Sequence, residues 1–196
     1  MPFQNPTPPL SPNDYYLGPN GGTLGYCAAE TIPRNATGNI TTVSTGNGTL
    51  YLAACYLAAG TLVSRLGWLS QNAAVAPLHQ WLGLYDLNRN QLAMTADQGS
   101  AAIANTTQYS YPIATIAAGA ATSFTTNYTG LYYLGILLNA TTTNATCAGQ
   151  ASTAAFAAMP PILSGSSDTV QTTVPAFPHQ ATTITPAASL PYLYAA

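Results

Sequence analysis

GLYYLGILLN, from Gly130 to Asn139, decides the fold class. The run follows a period-two pattern and carries two tyrosines and an isoleucine. Aromatic and β-branched residues at period two favour an extended strand over a helix. The segment is therefore expected to be a central strand of a sandwich.

Working outward, the neighbouring segments read the same way. Thr49–Leu57 places Leu50, Leu52, Ala54 and Tyr56 on one face and Tyr51, Ala53, Cys55 and Leu57 on the other. Leu62–Gln71 follows, with Leu62, Leu66 and Trp68 expected to share a face. Residues 50–69 also admit an Ala/Leu-rich helix, which Gly60, Thr61, Val63 and the aromatics oppose. Gln80–Leu87 alternates more clearly, setting Trp81, Gly83, Tyr85 and Leu87 against Leu82, Leu84 and Asp86. Asn88-Arg89-Asn90 then reads as a turn and Gln91–Ala96 as its hairpin partner. Gly38–Thr45 is a weaker first strand, Ala101–Asn105 a short helical turn, and Leu190–Tyr194 a last strand that closes the sheet. The expected architecture is all-β: a single jelly-roll-like antiparallel β-sandwich over residues 34–196. Residues 1–33 hold seven prolines and read as an extended arm. Tyr15, Tyr16, Leu17, Leu24 and Tyr26 give that arm apolar anchors for a neighbouring surface.

Composition restricts function. Only 4% of the 196 residues are charged, and lysine is absent; soluble domains ordinarily carry roughly 25%. The cations are Arg34, Arg65 and Arg89, and the anions Asp14, Glu30, Asp86, Asp97 and Asp168, for a net charge of -2. Nucleic-acid binding needs clustered Lys and Arg, so no such partner is expected. The longest apolar stretch, Leu50–Leu62, falls short of the ~20 residues a spanning helix needs, and no membrane insertion is expected. The N-terminal Met1-Pro2-Phe3-Gln4-Asn5-Pro6 has neither the basic nor the apolar region of a secretory signal. The polar surface is instead Thr, Ser, Asn and Gln. It stays hydrated at any salt or pH and offers little repulsion against association, so an oligomer is expected.

Cys27, Cys55 and Cys147 are odd in number and widely spaced, so no disulfide framework follows, although a Cys27–Cys147 bridge stays open. Asn-x-Ser/Thr sequons start at Asn35, Asn39, Asn47, Asn105, Asn127, Asn139 and Asn144. They read as by-products of Asn/Thr-rich strands and turns. Catalysis by Ser, Cys or Thr needs an activating base. The two histidines, His79 and His179, lie beside prolines in loop-like contexts, and the one imaginable triad would join His79, Asp86 and a serine. No G-x-S-x-G supports it. No metal-ligand spacing is present; Asp86 with Asp97 is the nearest approach to a calcium pair, against simple turn-capping roles for both. A single Glu and four scattered Asp do not make a glycosidase pair. No cofactor is expected, and the chain is not expected to be an enzyme. Sugar binding is the remaining chemistry. Trp68, Trp81 and Tyr85, with Tyr132 and Tyr133, are the candidate glycan-facing aromatics by type, while in a sandwich such residues more often form core.

The ordered phrases RNAT (34–37), TLYLAACYLAAG (49–60), LGLYDLNRNQLAMTADQ (82–98), TGLYYLGILLNATT (129–142), PILSGSSDTVQTTVP (161–175) and LPYLYAA (190–196) resemble small β-sandwich minor tail or virion structural proteins of actinobacterial phages. The resemblance spans roughly residues 34–196 and carries over no functional residues. It implies a protein of the particle exterior, assembled in the bacterial cytoplasm as a minor tail protein or capsid decoration protein. Its partners would be other virion proteins, tail or major capsid, reached through the N-terminal arm. It would act mechanically and by contact with the host surface. A carbohydrate-binding adhesion module that takes a host-surface glycan is the alternative.

Overall fold

The structure, a computed structural model, describes residues 27–33, 40–153, 158–170, 181 and 183–196, with the backbone alone at 168–170. The described residues contain sixteen strands and no helix. In chain order they are β1 (Ala29–Glu30), β2 (Thr41–Val43), β3 (Thr49–Leu57), β4 (Leu62–Val63), β5 (Arg65–Asn72), β6 (Val75–Tyr85), β7 (Gln91–Thr95) and β8 (Gln108–Ile116). They continue with β9 (Gly119–Ala120), β10 (Phe124–Thr125), β11 (Gly130–Thr143), β12 (Thr146–Ala151), β13 (Ser164–Val170), β14 (Thr185–Pro186), β15 (Ser189–Pro191) and β16 (Leu193–Ala195).

Every pairing is antiparallel. One layer runs β7–β6–β11–β3–β13–β14. The other is built on β5, which carries β8 along one edge and β16, then β12, along the other. β8 belongs to both layers. Its residues 108–112 pair with β5 and its residues 113–116 with β7, so the strand changes sheets at Pro112. A proline lacks the N–H a continuing ladder would need, which makes it a natural corner. The chain is thus the expected jelly-roll-like β-sandwich.

The main core lies between the layers. Tyr51, Ala53, Cys55 and Leu57 of β3, Leu82 and Leu84 of β6, and Tyr132, Leu134, Ile136 and Leu138 of β11 meet Leu66 and Trp68 of β5 and Leu193 of β16. Each fully buried Leu or Ile contributes about 1.5–3 kcal/mol. The opposite face of β3, β6 and β11 is also buried. Leu50, Leu52, Ala54, Trp81, Tyr85, Tyr133 and Leu137 form a second core with Ile184 and Ala181, and Ile162 packs against it. The cover is the chain around β13 and β14, tied down by Tyr133 O–H donating to Ile162 O (2.8 Å) and Ala54 N–H donating to Leu163 O (2.7 Å). Gly135 sits at the centre of this face, where a Cβ would stand 2.8 Å from the Tyr85 ring. The sheet is therefore sandwiched on both sides, which is why GLYYLGILLN is apolar at odd and even positions alike.

Several expectations are corrected. Residues 27–33, assigned to the arm, belong to the body: β1 pairs with β16, and Ile32 is buried. Residues 1–26, with the expected anchors, lie outside the described residues, as do Arg34, Asn35, Asn39 and His179. Leu62 does not share a face with Leu66 and Trp68, because Ser64 separates β4 from β5 and Leu62 is exposed. Ala101–Asn105 forms no helical turn; the buried Gln80 side chain takes Ala101 O as acceptor (2.6 Å), and Ala104 N–H bonds the Tyr109 hydroxyl (2.6 Å) instead of helical carbonyls.

Candidate functional site

The hairpin of β6 and β7 brings the expected chemistry-bearing residues closest together. Asp86 closes its turn. Asn90 N–H donates to Asp86 Oδ1 (2.8 Å) and the Asn90 amide to Oδ2 (2.9 Å), with Arg89 at φ 68°. Both Asp86 oxygens are thus engaged within the turn. The His79–Asp86 pair of the imaginable triad does not form: His79, which lies within β6, meets Asp97 instead. His79 Nδ1–H donates to Asp97 Oδ2 at 2.6 Å, while Asp97 Oδ1 accepts from Gln80 N–H (3.0 Å) and Gly99 N–H (2.8 Å). The imidazole stacks on Trp81, with ring centroids 4.9 Å apart and planes 12° from parallel.

This constellation orients an imidazole, as a catalytic base must be oriented. It brings no nucleophile: among the described residues no hydroxyl or thiol is hydrogen-bonded to His79. Nor does it gather a metal set, since among the described residues no three of His, Cys, Asp and Glu cluster. Asp86 and Asp97 serve separate turns, as their capping reading expected. What the pair does is mechanical. It fastens the Asp97–Gly99 turn to the middle of β6. Replacing Asp97 with Ala orphans two backbone donors and is expected to cost about 1–2 kcal/mol. His79→Gln removes only a part-exposed contact and is expected to cost under about 1 kcal/mol. Chemical denaturation of the two variants checks the order. The pairing had a signal in sequence: counting back from the Asp86–Asn90 turn sets residue 97 opposite residue 79.

The candidate glycan aromatics are corrected by their burial. Trp68 and Tyr85 are 0% exposed and Trp81 is 5% exposed. Trp68 stacks on Tyr109 at 5.3 Å in the main core, and the other two belong to the second core. Tyr132 and Tyr133 are buried as well. None of the five offers a ring face to a ligand.

The three cysteines are free and buried, so Cys27 and Cys147 are not bridged. Burial pushes the Cys55 thiol from its ordinary 9.0 up to about 12 and drives Cys147 upward too. Burial also raises the Tyr85 hydroxyl, and that of Tyr111 from 10.0 to about 12. All four stay protonated in the fold at pH values where the unfolded chain has begun to ionise. Their stabilisation is complete below about pH 9 and lost as pH rises towards 12. The urea midpoint is therefore expected to hold level through neutral pH and fall steadily above pH 9. A midpoint flat to about pH 11 would refute this burial.

Four of the sequon asparagines are built into the fold. Asn47 bonds both Ala140 N–H (2.9 Å) and Ala140 O (3.0 Å). Asn105 accepts from Ala73 N–H (2.6 Å), Asn144 donates to Gly46 O (2.7 Å), and Asn139 is buried. The by-product reading explains these positions; Asn127 alone of the described sequons is exposed without such a bond.

No family model matches this chain, and neither does any curated protein.

Proposed function

We propose that this chain is a structural protein of an extracellular assembly, a phage virion, placed on the particle exterior as a minor tail protein or capsid decoration protein. The observation that carries the reading is how the few charges are used. Arg65 is spent on Ser110, through Nε to Oγ (2.9 Å) and through its terminal nitrogen to the carbonyl (2.6 Å). Glu30 accepts from the Tyr192 hydroxyl (2.8 Å), and Asp86 and Asp97 are tied into turns. Among the described residues the outward surface is left mainly to hydroxyls and amides, punctuated by apolar side chains such as Tyr56 (52% exposed), Leu62 (60%) and Met159 (58%). Such a surface suits permanent packing against other proteins better than life as an isolated, charge-stabilised monomer.

In this reading the first 26 residues dock on an underlying virion protein, and the sandwich stabilises the shell or tail and faces the host. Cryo-EM of the particle, with an antibody to this chain, tests it. Regular density for the sandwich is expected, and absence of the chain from purified particles removes the reading. Deleting residues 1–26 is expected to leave a folded sandwich that no longer joins the particle. Full incorporation of the truncated chain would discard the docking role.

A further inference from the structure

An open cavity of about 420 Å³ lies where the β2–β3 turn meets β13 and β15. Its volume falls within the range of small-molecule sites. Six of its eight described lining residues carry a hydroxyl: Ser44, Thr45, Thr49, Tyr51, Ser166 and Ser189. One wall is already organised. Tyr51 O–H donates to Ser189 O (2.7 Å), and the Ser189 and Ser164 hydroxyls lie 3.1 and 3.3 Å from the Tyr51 oxygen.

The remaining hydroxyls are uncommitted. Among the described residues, those of Ser44, Thr49 and Ser166 make no hydrogen bond. Thr45 is only 2% exposed, yet its Oγ1 has no partner. Asn144 donates to Gly46 O in the same turn, and its own Oδ1 is buried and unpaired. Unpaired buried polar groups are costly and are kept mainly where something else satisfies them.

The lining also defines the ligand. None of its described lining residues is charged, so those residues offer no carboxylate for a hard cation and no cation for an anion. An apolar ligand would leave the hydroxyls unpaired. A neutral ring bearing several hydroxyls, each both donor and acceptor, matches a wall of groups with the same dual capacity. We propose that this cavity binds a single neutral sugar unit. It does so without an aromatic platform, and independently of whether the chain belongs to a particle.

The test is amide chemical-shift titration of the full chain with D-glucose, D-galactose, D-mannose and L-arabinose in turn, with glycerol as control. At least one sugar is expected to give saturable shifts in the millimolar range, largest at Thr45, Gly46, Thr49, Ser166 and Ser189, with none for glycerol. Ser166→Val is expected to weaken that binding about tenfold with the rest of the spectrum unchanged. If that variant misfolds, Thr49→Val decides in its place. The proposal is overturned if no sugar gives saturable shifts up to about 50 mM. It is also overturned if the shifts centre elsewhere, or if the folded variants bind like the parent.

Discussion

Trp68→Ala is expected to lose about 3–5 kcal/mol, the cost of emptying a buried aromatic site. A domain of this size has only about 5–15 kcal/mol to lose, so the variant should sit at the edge of unfolding at room temperature. The magnitude follows from position. Trp68 is 0% exposed on β5, the strand that links most of its layer. It is registered between Leu193 of β16 and Tyr109 of β8, and it stacks on the Tyr109 ring. Removing the indole opens a cavity under two strand pairings at once. Urea unfolding followed by circular dichroism measures it. A loss below about 1 kcal/mol with an unchanged denaturant slope would mean that the ring is not core, and would return Trp68 to the surface aromatics a glycan platform needs.

The same residue shows how far the sequence is legible. Period-two patterning in GLYYLGILLN and TLYLAACYL located two central strands and sorted the faces of the second correctly, because alternation survives wherever a strand is straight and its partners are long. Thr49–Leu57 was bounded to the residue. The segments that escaped lack that signal for physical reasons. QYSYPIATI changes sheets at Pro112, so its halves face different environments and no single alternation runs through it. TCAGQA is built of small residues because Gly149 passes close to Leu190 O and the Val43 side chain, leaving no bulky residue to mark a face. SGSSDTV pairs with β3 through backbone hydrogen bonds, which any sequence can make. The candidate sites diverged further. Trp68, Trp81 and Tyr85 are aromatic, and aromatic content alone cannot separate platform from core. The hydroxyl-lined cavity was invisible because its residues come from three separate segments, and Ser and Thr carry no periodic signal.

Leu137→Asp is expected to be the most damaging single exchange, costing more than about 4 kcal/mol and preventing accumulation of folded protein. In a plain sandwich one face of each sheet meets water, and an aspartate there would be tolerated. Leu137 lies on the face of β11 turned away from the main core, yet it is 0% exposed. Its row runs across Leu50 of β3 and Trp81 of β6 in register, with Ile184 and Ala181 in the same cluster. A carboxylate there would have to be neutralised or would expel the cover formed around β13 and β14. Comparison with Thr42→Asp on the exposed face of β2 isolates the effect of burial from that of added charge. If both variants express and unfold alike, the outer face is open to solvent. If only Leu137→Asp fails, and Leu137→Ala loses about 2–5 kcal/mol while still folding, the cover is an integral third layer. The second outcome also explains a feature that composition alone leaves puzzling. A chain with so few charges keeps its central strands apolar on both sides because neither side faces water.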